Sequence, residues 1–201
     1  SAPVAVYDQP HQFEPLLPSQ NLAELGEATR RIFEMSAALR ASASPEARSA
    51  LREIVRSMNS YYSNRIEGQA THPANIERAL QHNFSDKPDV AKRQRVALAH
   101  IEAERELEGA VAKEAQALSS AFLCQAHKSL YSRLPEEDRT TDDGRVVVPG
   151  ELRVHEVAVG RHQPPAWKSI PLFLSRMDDV YGRLHGVDAV IYTIAAAHHR
   201  M

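Results

Sequence analysis

The chain is poor in the residues that build covalent or metal-held frameworks. One cysteine, Cys124, in 201 residues excludes an internal disulfide and any multi-cysteine zinc site, and it fits a reducing compartment. Glycine is scarce at 8, and neither G-x-x-x-x-G-K-S/T nor G-x-G-x-x-G occurs, so the common phosphate-cradling loops are absent. No charge of one sign prevails. The 24 Lys+Arg and 26 Asp+Glu leave a formal net charge of -2, with no basic run longer than a pair such as Arg30-Arg31; this argues against nucleic acid held by bulk charge. No apolar stretch approaches the roughly 20 residues of a membrane span. Ser1–Pro18 has neither the basic start nor the apolar run of a secretory leader. What is present is ordinary: 43% hydrophobic and 25% charged residues, enough for a sizeable core. The expectation is a cytoplasmic, soluble, mostly helical protein with no membrane or nucleic-acid partner.

Periodicity supplies the elements. Residues 1–20, with Pro3, Pro10, Pro15 and Pro18, read as an extended arm. Leu22, Leu25, Ile32, Met35 and Leu39 share a helix face, and Ala41–Pro45 breaks that helix. Ser44 is a good N-cap with Pro45 at the first helical position. The next helix carries Leu51, Ile54, Val55, Met58, Tyr62 and Ile66 and stops at Gly68, where a left-handed residue is expected. Thr71-His72-Pro73 opens a short helix to about Gln81, and Pro88 opens a long one with Val90, Ala97 and Ile101 as its inner stripe. Its many charged residues between 92 and 114, Glu102 among them, read as a solvated face. Ser119 or Ser120 starts a helix through Leu134. Asp142-Asp143-Gly144 is a turn, and Arg145–Val148 and Val154–Val159 flank Pro149-Gly150 as a hairpin or a pair of extended arms. Helical spacing returns from Ile170 to Leu184 and again from Val187. The last helix reaches Met201 with no terminator, so it reads as cut in mid-helix.

Two stretches together resemble the Fic (filamentation induced by cAMP) family. Ser63-Asn64-Arg65-Ile66-Glu67-Gly68 is similar to the family's inhibitory motif, S/T-x-x-x-E-G/N. Pro149-Gly150-Glu151-Leu152-Arg153 and Val154–Gly160, followed by Pro164-Pro165 and Ile170-Pro171, resemble its flap and the exit from it. Ala197-His198-His199-Arg200-Met201 is similar to the helix that leads into the family's catalytic loop, H-P-F-x-x-G-N-G-R. The order of the pieces matches. The loop itself does not occur, and His82-Asn83-Phe84-Ser85-Asp86 only imitates its start, on the wrong side of the flap. The resemblance places the loop about one helical turn beyond Met201, and no catalytic residue is assigned here.

The resemblance implies an all-α, Fic-like helical bundle with a short β-hairpin flap. Its parts would be the arm 1–20, an N-terminal helical region 21–86 containing the inhibitory helix, and the N-terminal part of the Fic core 87–201 with the flap at about 142–165. The implied activity is auto-inhibited AMP transfer from ATP to a protein hydroxyl, with this chain as the regulatory and target-docking portion. ATP and Mg2+ are implied for the full family member and none is expected for this chain. The partner is a protein bearing a Ser, Thr or Tyr hydroxyl, and family members often form homodimers. Ser63, Glu67 and Gly68 are the inhibitory candidates; Arg153, Val154, His155, Glu156, Val157, Ala158 and Val159 are the docking candidates. Their plainer readings are a polar helix end and a hairpin capping the core, with Arg153 satisfying carbonyls at its base. None of the 10 histidines shows metal-site spacing. His127, inside an apolar stripe, reads as a satisfied, half-buried histidine, and Cys124 as buried and inert. The rival to an enzyme is a non-catalytic helical interaction module that sequesters a partner, as an antitoxin would.

Overall fold

The computed structural model describes residues 7–66, 68–111, 117–158, 163–182 and 187–200, with backbone alone at 187–190 and 199–200. It is mostly helical: α1 (Leu22–Ser42), α2 (Pro45–Ile66), α3 (Pro73–Leu80), α4 (Pro88–Val111), α5 (Ser120–Tyr131), α6 (Ile170–Tyr181) and α7 (Val187–Arg200), with three short 3-10 turns. Among the described residues β-pairing amounts to one antiparallel bridge, Thr140 to Val146. No helix among them is long and apolar enough to cross a membrane. The chain divides into two compact units, one of Leu39–Ala115 with Gln125–Glu151, the other of Ser1–Ala38, Gln116–Cys124 and Leu152–Met201.

In the unit built on α2, α3 and α4, local chemistry sets the ends of the helices. The Ser44 hydroxyl accepts the Ala47 N–H at 3.2 Å, and Pro45 at the first position needs no partner for a missing N–H. Ile76, Ala97 and Ile101 form the apolar centre, with Tyr61 against them. A buried glutamine ties α3 and the loop after it to α4. Gln94, fully buried, accepts the Ser85 N–H at 2.7 Å and donates to the carbonyls of Asn75 at 3.1 Å and Asn83 at 3.3 Å. One side chain thus fixes α3 and the 81–87 loop onto α4.

The helix faces depart from what periodicity and charge alone suggest. The apolar stripe of α2 is not its buried face: Leu51, Ile54, Val55, Met58, Tyr62 and Ile66 are all exposed, while Arg56, Ser60 and Asn64 are buried. On α1, Leu22, Ile32, Met35 and Leu39 are likewise exposed, and Thr29 is the buried residue. Periodicity reports that a face is apolar, not what lies against it. Nor is the charged side of α4 simply solvated. Arg56 pairs with Glu53 and Glu108, Arg105 reaches Glu53 at 2.7 Å, and Arg133 reaches Glu102 at 3.3 Å and Glu106 at 2.7 Å. Arg95 binds Asp138 at 2.5 Å. The Arg105 guanidinium holds the Glu53 carboxyl below its usual range. These carboxylates work as spacers between elements.

In the other unit, Met177, Tyr181 and Ala197 form the core, with Leu118, Leu123 and Leu174 packed on it. Asp178 of α6 starts α5 by accepting the Ser120 N–H at 2.7 Å and its hydroxyl at 2.5 Å. The N-terminal arm, described from Tyr7, contains a 3-10 turn at Pro10–Phe13 and docks as a strap along α6. The Tyr7 carbonyl accepts the Ala166 N–H at 2.9 Å, the Phe13 and Phe173 rings lie 5.6 Å apart, Glu14 pairs with Arg176 at 3.0 Å, and Tyr181 donates to the Leu16 carbonyl at 3.2 Å.

Gln94→Leu, close in volume, strands the Ser85 N–H and two carbonyls without partners. It is expected to cost about 3 kcal/mol of stability in urea denaturation, since each buried orphan costs about 1–3 kcal/mol. A cost below about 0.5 kcal/mol would mean that the amide is not the strut described.

Candidate functional site

The first candidate site is the C-terminal end of α2. Inside the helix, the Ser60 hydroxyl donates to the Ala97 carbonyl at 3.1 Å and Asn64 donates to Ser60 at 3.2 Å. This buried chain sets the rotation of the last turns and leaves Ser63 exposed. After Ile66 the helix closes in a Schellman arrangement: the Gly68 N–H bonds to the Arg65 carbonyl at 3.2 Å and the Gln69 N–H to the Asn64 carbonyl at 2.7 Å. Gly68 sits at φ 73, so the left-handed stop read from the sequence is there. Glu67 lies outside the described residues. The exposed side of α2, with Ile54, Met58 and Tyr62, meets Pro73 and Glu77 of α3 in an apolar groove of about 320 Å³.

The same closing device recurs after α3, where His82 takes φ 54. Its N–H bonds to the Ala79 carbonyl, and the Asn83 N–H bonds to the Arg78 carbonyl, each at 2.9 Å. His82 is thus a helix-end residue, in line with its dismissal as a false start of a catalytic loop.

The flap segment begins in the α2–α4 unit. Thr141 and Arg145 close the Asp142–Gly144 turn through the Thr141 N–H to the Arg145 carbonyl at 2.8 Å, and the Val147 N–H reaches the Arg139 carbonyl at 2.9 Å. Arg145–Val147 therefore pairs backwards with 139–141, whereas residues 151–158 carry no strand. The one bridged turn among the described residues is at Asp142–Gly144 and not at Pro149-Gly150. Pro149 and Gly150, at φ 84, are the central residues of a type II turn closed by the Glu151 N–H to the Val148 carbonyl at 3.2 Å. In such a turn the N–H of the second central residue is not used internally. Here it goes to His127 Nδ1 at 2.8 Å.

In the other unit the segment continues as exposed chain, with Val154 71% exposed and Glu156 and Ala158 also exposed, while His155 and Val157 are half-buried. Arg153 braces it from within, donating to the His155 carbonyl at 2.7 Å and to the Pro165 carbonyl, with Glu156 at 3.7 Å. Arg153 thus satisfies two carbonyls, though not at the base of a hairpin. Val159 lies outside the described residues, as does the side chain of His199; His198 is exposed on α7.

Between α4 and α5 lies a mainly apolar cleft of about 450 Å³, lined by Leu107 and Leu130 with His100, His127 and Tyr131, and with Glu104 and Glu108 also in its lining. Burial holds both imidazoles below the usual histidine range, a nearby Glu104 opposing the shift at His100. His100 Nδ1 has no hydrogen-bond partner among the described residues. No group of three or more His, Cys, Asp or Glu among the described residues could hold a metal ion. Cys124 is half-buried beside Leu174 and Ser175, less enclosed than expected.

Comparison of the chain with family models, with curated proteins and with solved structures gives no match. What can be said of the sites therefore rests on residues. Sequence reading missed Gln94, Arg56 and the partner of His127. A lone glutamine in a charged helix gives no signal, whereas Pro149-Gly150 did announce a turn with an N–H to be satisfied.

The left-handed stop makes a paired test. Gly68→Ala should destabilise by about 1 kcal/mol because a Cβ is strained at that φ. Gly109→Ala, in α4 where an added Cβ meets nothing within 4 Å, should stabilise by about 0.5 kcal/mol. Melting temperatures moving in opposite directions confirm the pair. A neutral Gly68→Ala would contradict the helix end.

Proposed function

We propose that this chain is the regulatory and target-docking portion of an auto-inhibited, cytoplasmic protein adenylyltransferase of the Fic type, acting on a protein hydroxyl. The observation that carries the reading is the Ser63–Gly68 motif at the end of α2, with Ser63 exposed and Gly68 in the left-handed stop. It is supported by the ordered P-G-E-L-R segment, whose glycine makes a turn and whose arginine braces an exposed stretch. An acid near a helix C-terminus opposes the helix dipole and needs a cation. In the reading, Glu67 takes an arginine of the catalytic loop and so denies it to the γ-phosphate of ATP. A target segment would dock on Val154–Val159 by main-chain hydrogen bonds, as extended peptides do on open edges.

ATP and Mg2+ belong to this reading for the full family member, but the residues present do not furnish their site. The sequence has no phosphate-cradling glycine loop and the described residues offer no carboxylate cluster for a divalent ion. No phosphate step is assigned to them.

One observation favours the second reading, a non-catalytic interaction module: the exposed apolar stripe of α2 from Leu51 to Ile66. A contiguous face of that kind marks a place where something binds.

The test uses the product of the whole reading frame that encodes the chain, with labelled ATP. Glu67→Gly should raise AMP transfer, self-modification included, by about tenfold or more, which needs only about 1.4 kcal/mol. Ser63→Ala should do less, because a hydroxyl only orients the acid, for about 1 kcal/mol. Glu24→Gln, exposed on α1, is the neutral control; Glu102 is unsuitable because it pairs with Arg133. If Glu67→Gly matches the parent with ATP binding intact, auto-inhibition by this motif is wrong. If no variant transfers AMP, the interaction module stands.

A further inference from the structure

We propose that His127 is a proton-sensitive latch that positions the Pro149-Gly150 turn, holding it when neutral and releasing it when protonated on Nδ1. The geometry is specific. His127 Nδ1 accepts the Gly150 N–H at 2.8 Å, so the neutral ring carries its proton on Nε2, and a protonated ring would present a donor to a donor. The ring lies on Tyr131, one helical turn away, with centroids 4.4 Å apart, which fixes its plane toward the turn. Gly150 is committed to φ 84, and its N–H has no role inside the turn, so the turn cannot supply a substitute partner.

The titratable groups around the ring do not remove this sensitivity. On its own helix the neighbour is the Tyr131 ring. Across the cleft, α4 presents His100, Glu104 and Glu108. Glu108 is already bound by Arg56 and Arg52, Glu104 accepts from Asn59 at 3.4 Å, and burial holds His100 below the usual histidine range, with Glu104 opposing. From the loop, Glu151 follows Gly150 and is exposed. Burial lowers the His127 value below that of an open chain. The linkage then has one sign. A group with a depressed folded value favours the latched state fully above about pH 6.5 and loses that contribution as pH falls through the folded value.

The latch stands on this geometry alone. Only its consequence, that acid loosens the start of the docking segment, rests on the function proposed above. The test is hydrogen exchange at the Gly150 amide, read as a protection factor so that intrinsic pH effects cancel. It needs neither ATP nor a target, so its failure is distinct from failure of the adenylyltransferase reading. In the parent, protection should fall by about threefold or more between about pH 7.5 and pH 5. His127→Asn, whose Oδ1 falls near the position of Nδ1 and does not titrate, should keep protection and lose the pH dependence. His127→Phe should lose protection at both pH values. A pH-independent parent overturns the proposal, as does a His127→Asn chain that keeps the parental dependence or a His127→Phe chain as protected as the parent. Should His127→Phe fail to fold, the parent and His127→Asn alone decide the matter.

Discussion

Arg56 is buried on the side of α2 that faces α4, its guanidinium shared between Glu53 of its own helix and Glu108 of the neighbour. That choice fixes the rest of the α2–α4 unit. A buried guanidinium is tolerated only when its charge is matched; removing a partner from a fully buried pair costs about 3–5 kcal/mol, and less here because Glu53 and Glu108 are half exposed. With Arg56 inward, Ser60 and Asn64 follow one and two turns later, and their hydroxyl–amide chain to the Ala97 carbonyl locks the rotation of α2. The aliphatic stripe from Leu51 to Ile66 is then turned outward by helical geometry, and Ser63 with it. An apolar helix face left open beside a polar face that is packed is the reverse of the usual arrangement.

Satisfaction of backbone groups by single side chains runs through both units. Gln94 serves three backbone partners, Asp178 begins α5, Arg153 braces the exposed segment and His127 holds the Pro149-Gly150 turn. Each reaches a point where the chain leaves regular structure (Ser85 and Asn83, Ser120, His155 and Pro165, Gly150), and buried backbone groups there must be paired by something other than a helix or a ladder. The candidate sites lie at these same places. Both parts of the functional reading therefore concern irregular chain held by a few identifiable hydrogen bonds.

Helix existence and most helix ends were legible because local chemistry decides them. Ser44-Pro45 and Gly68 mark the two ends of α2 as read, and Pro73 and Pro88 open α3 and α4. Facing was not legible. A stripe such as Leu51–Met58–Tyr62 has the same periodicity whether it is covered or open, and Arg56 carries no sign in the sequence that it turns inward. The charged residues of α4 looked solvated for the same reason, since their partners lie about 30 to 50 positions away in sequence. Asp142–Gly144 was read correctly as a turn, but the pairing of Arg145–Val147 back across it with 139–141 was not. Of the inhibitory candidates, Ser63 is exposed and Gly68 ends the helix; of the docking candidates, Arg153 donates to the His155 and Pro165 carbonyls.

The proposed roles of α2 as an inhibitory helix and of the exposed segment after Gly150 as a docking surface have meaning only if a catalytic loop is encoded with them. The most direct measurement is the nucleotide sequence of the reading frame beyond the codon for Met201. The account predicts H-P-F-x-x-G-N-G-R, or a close variant, beginning within about one helical turn, some four residues. A stop codon there, or a continuation without a histidine followed by a glycine-rich, arginine-ended loop, would contradict it and leave a helical interaction module.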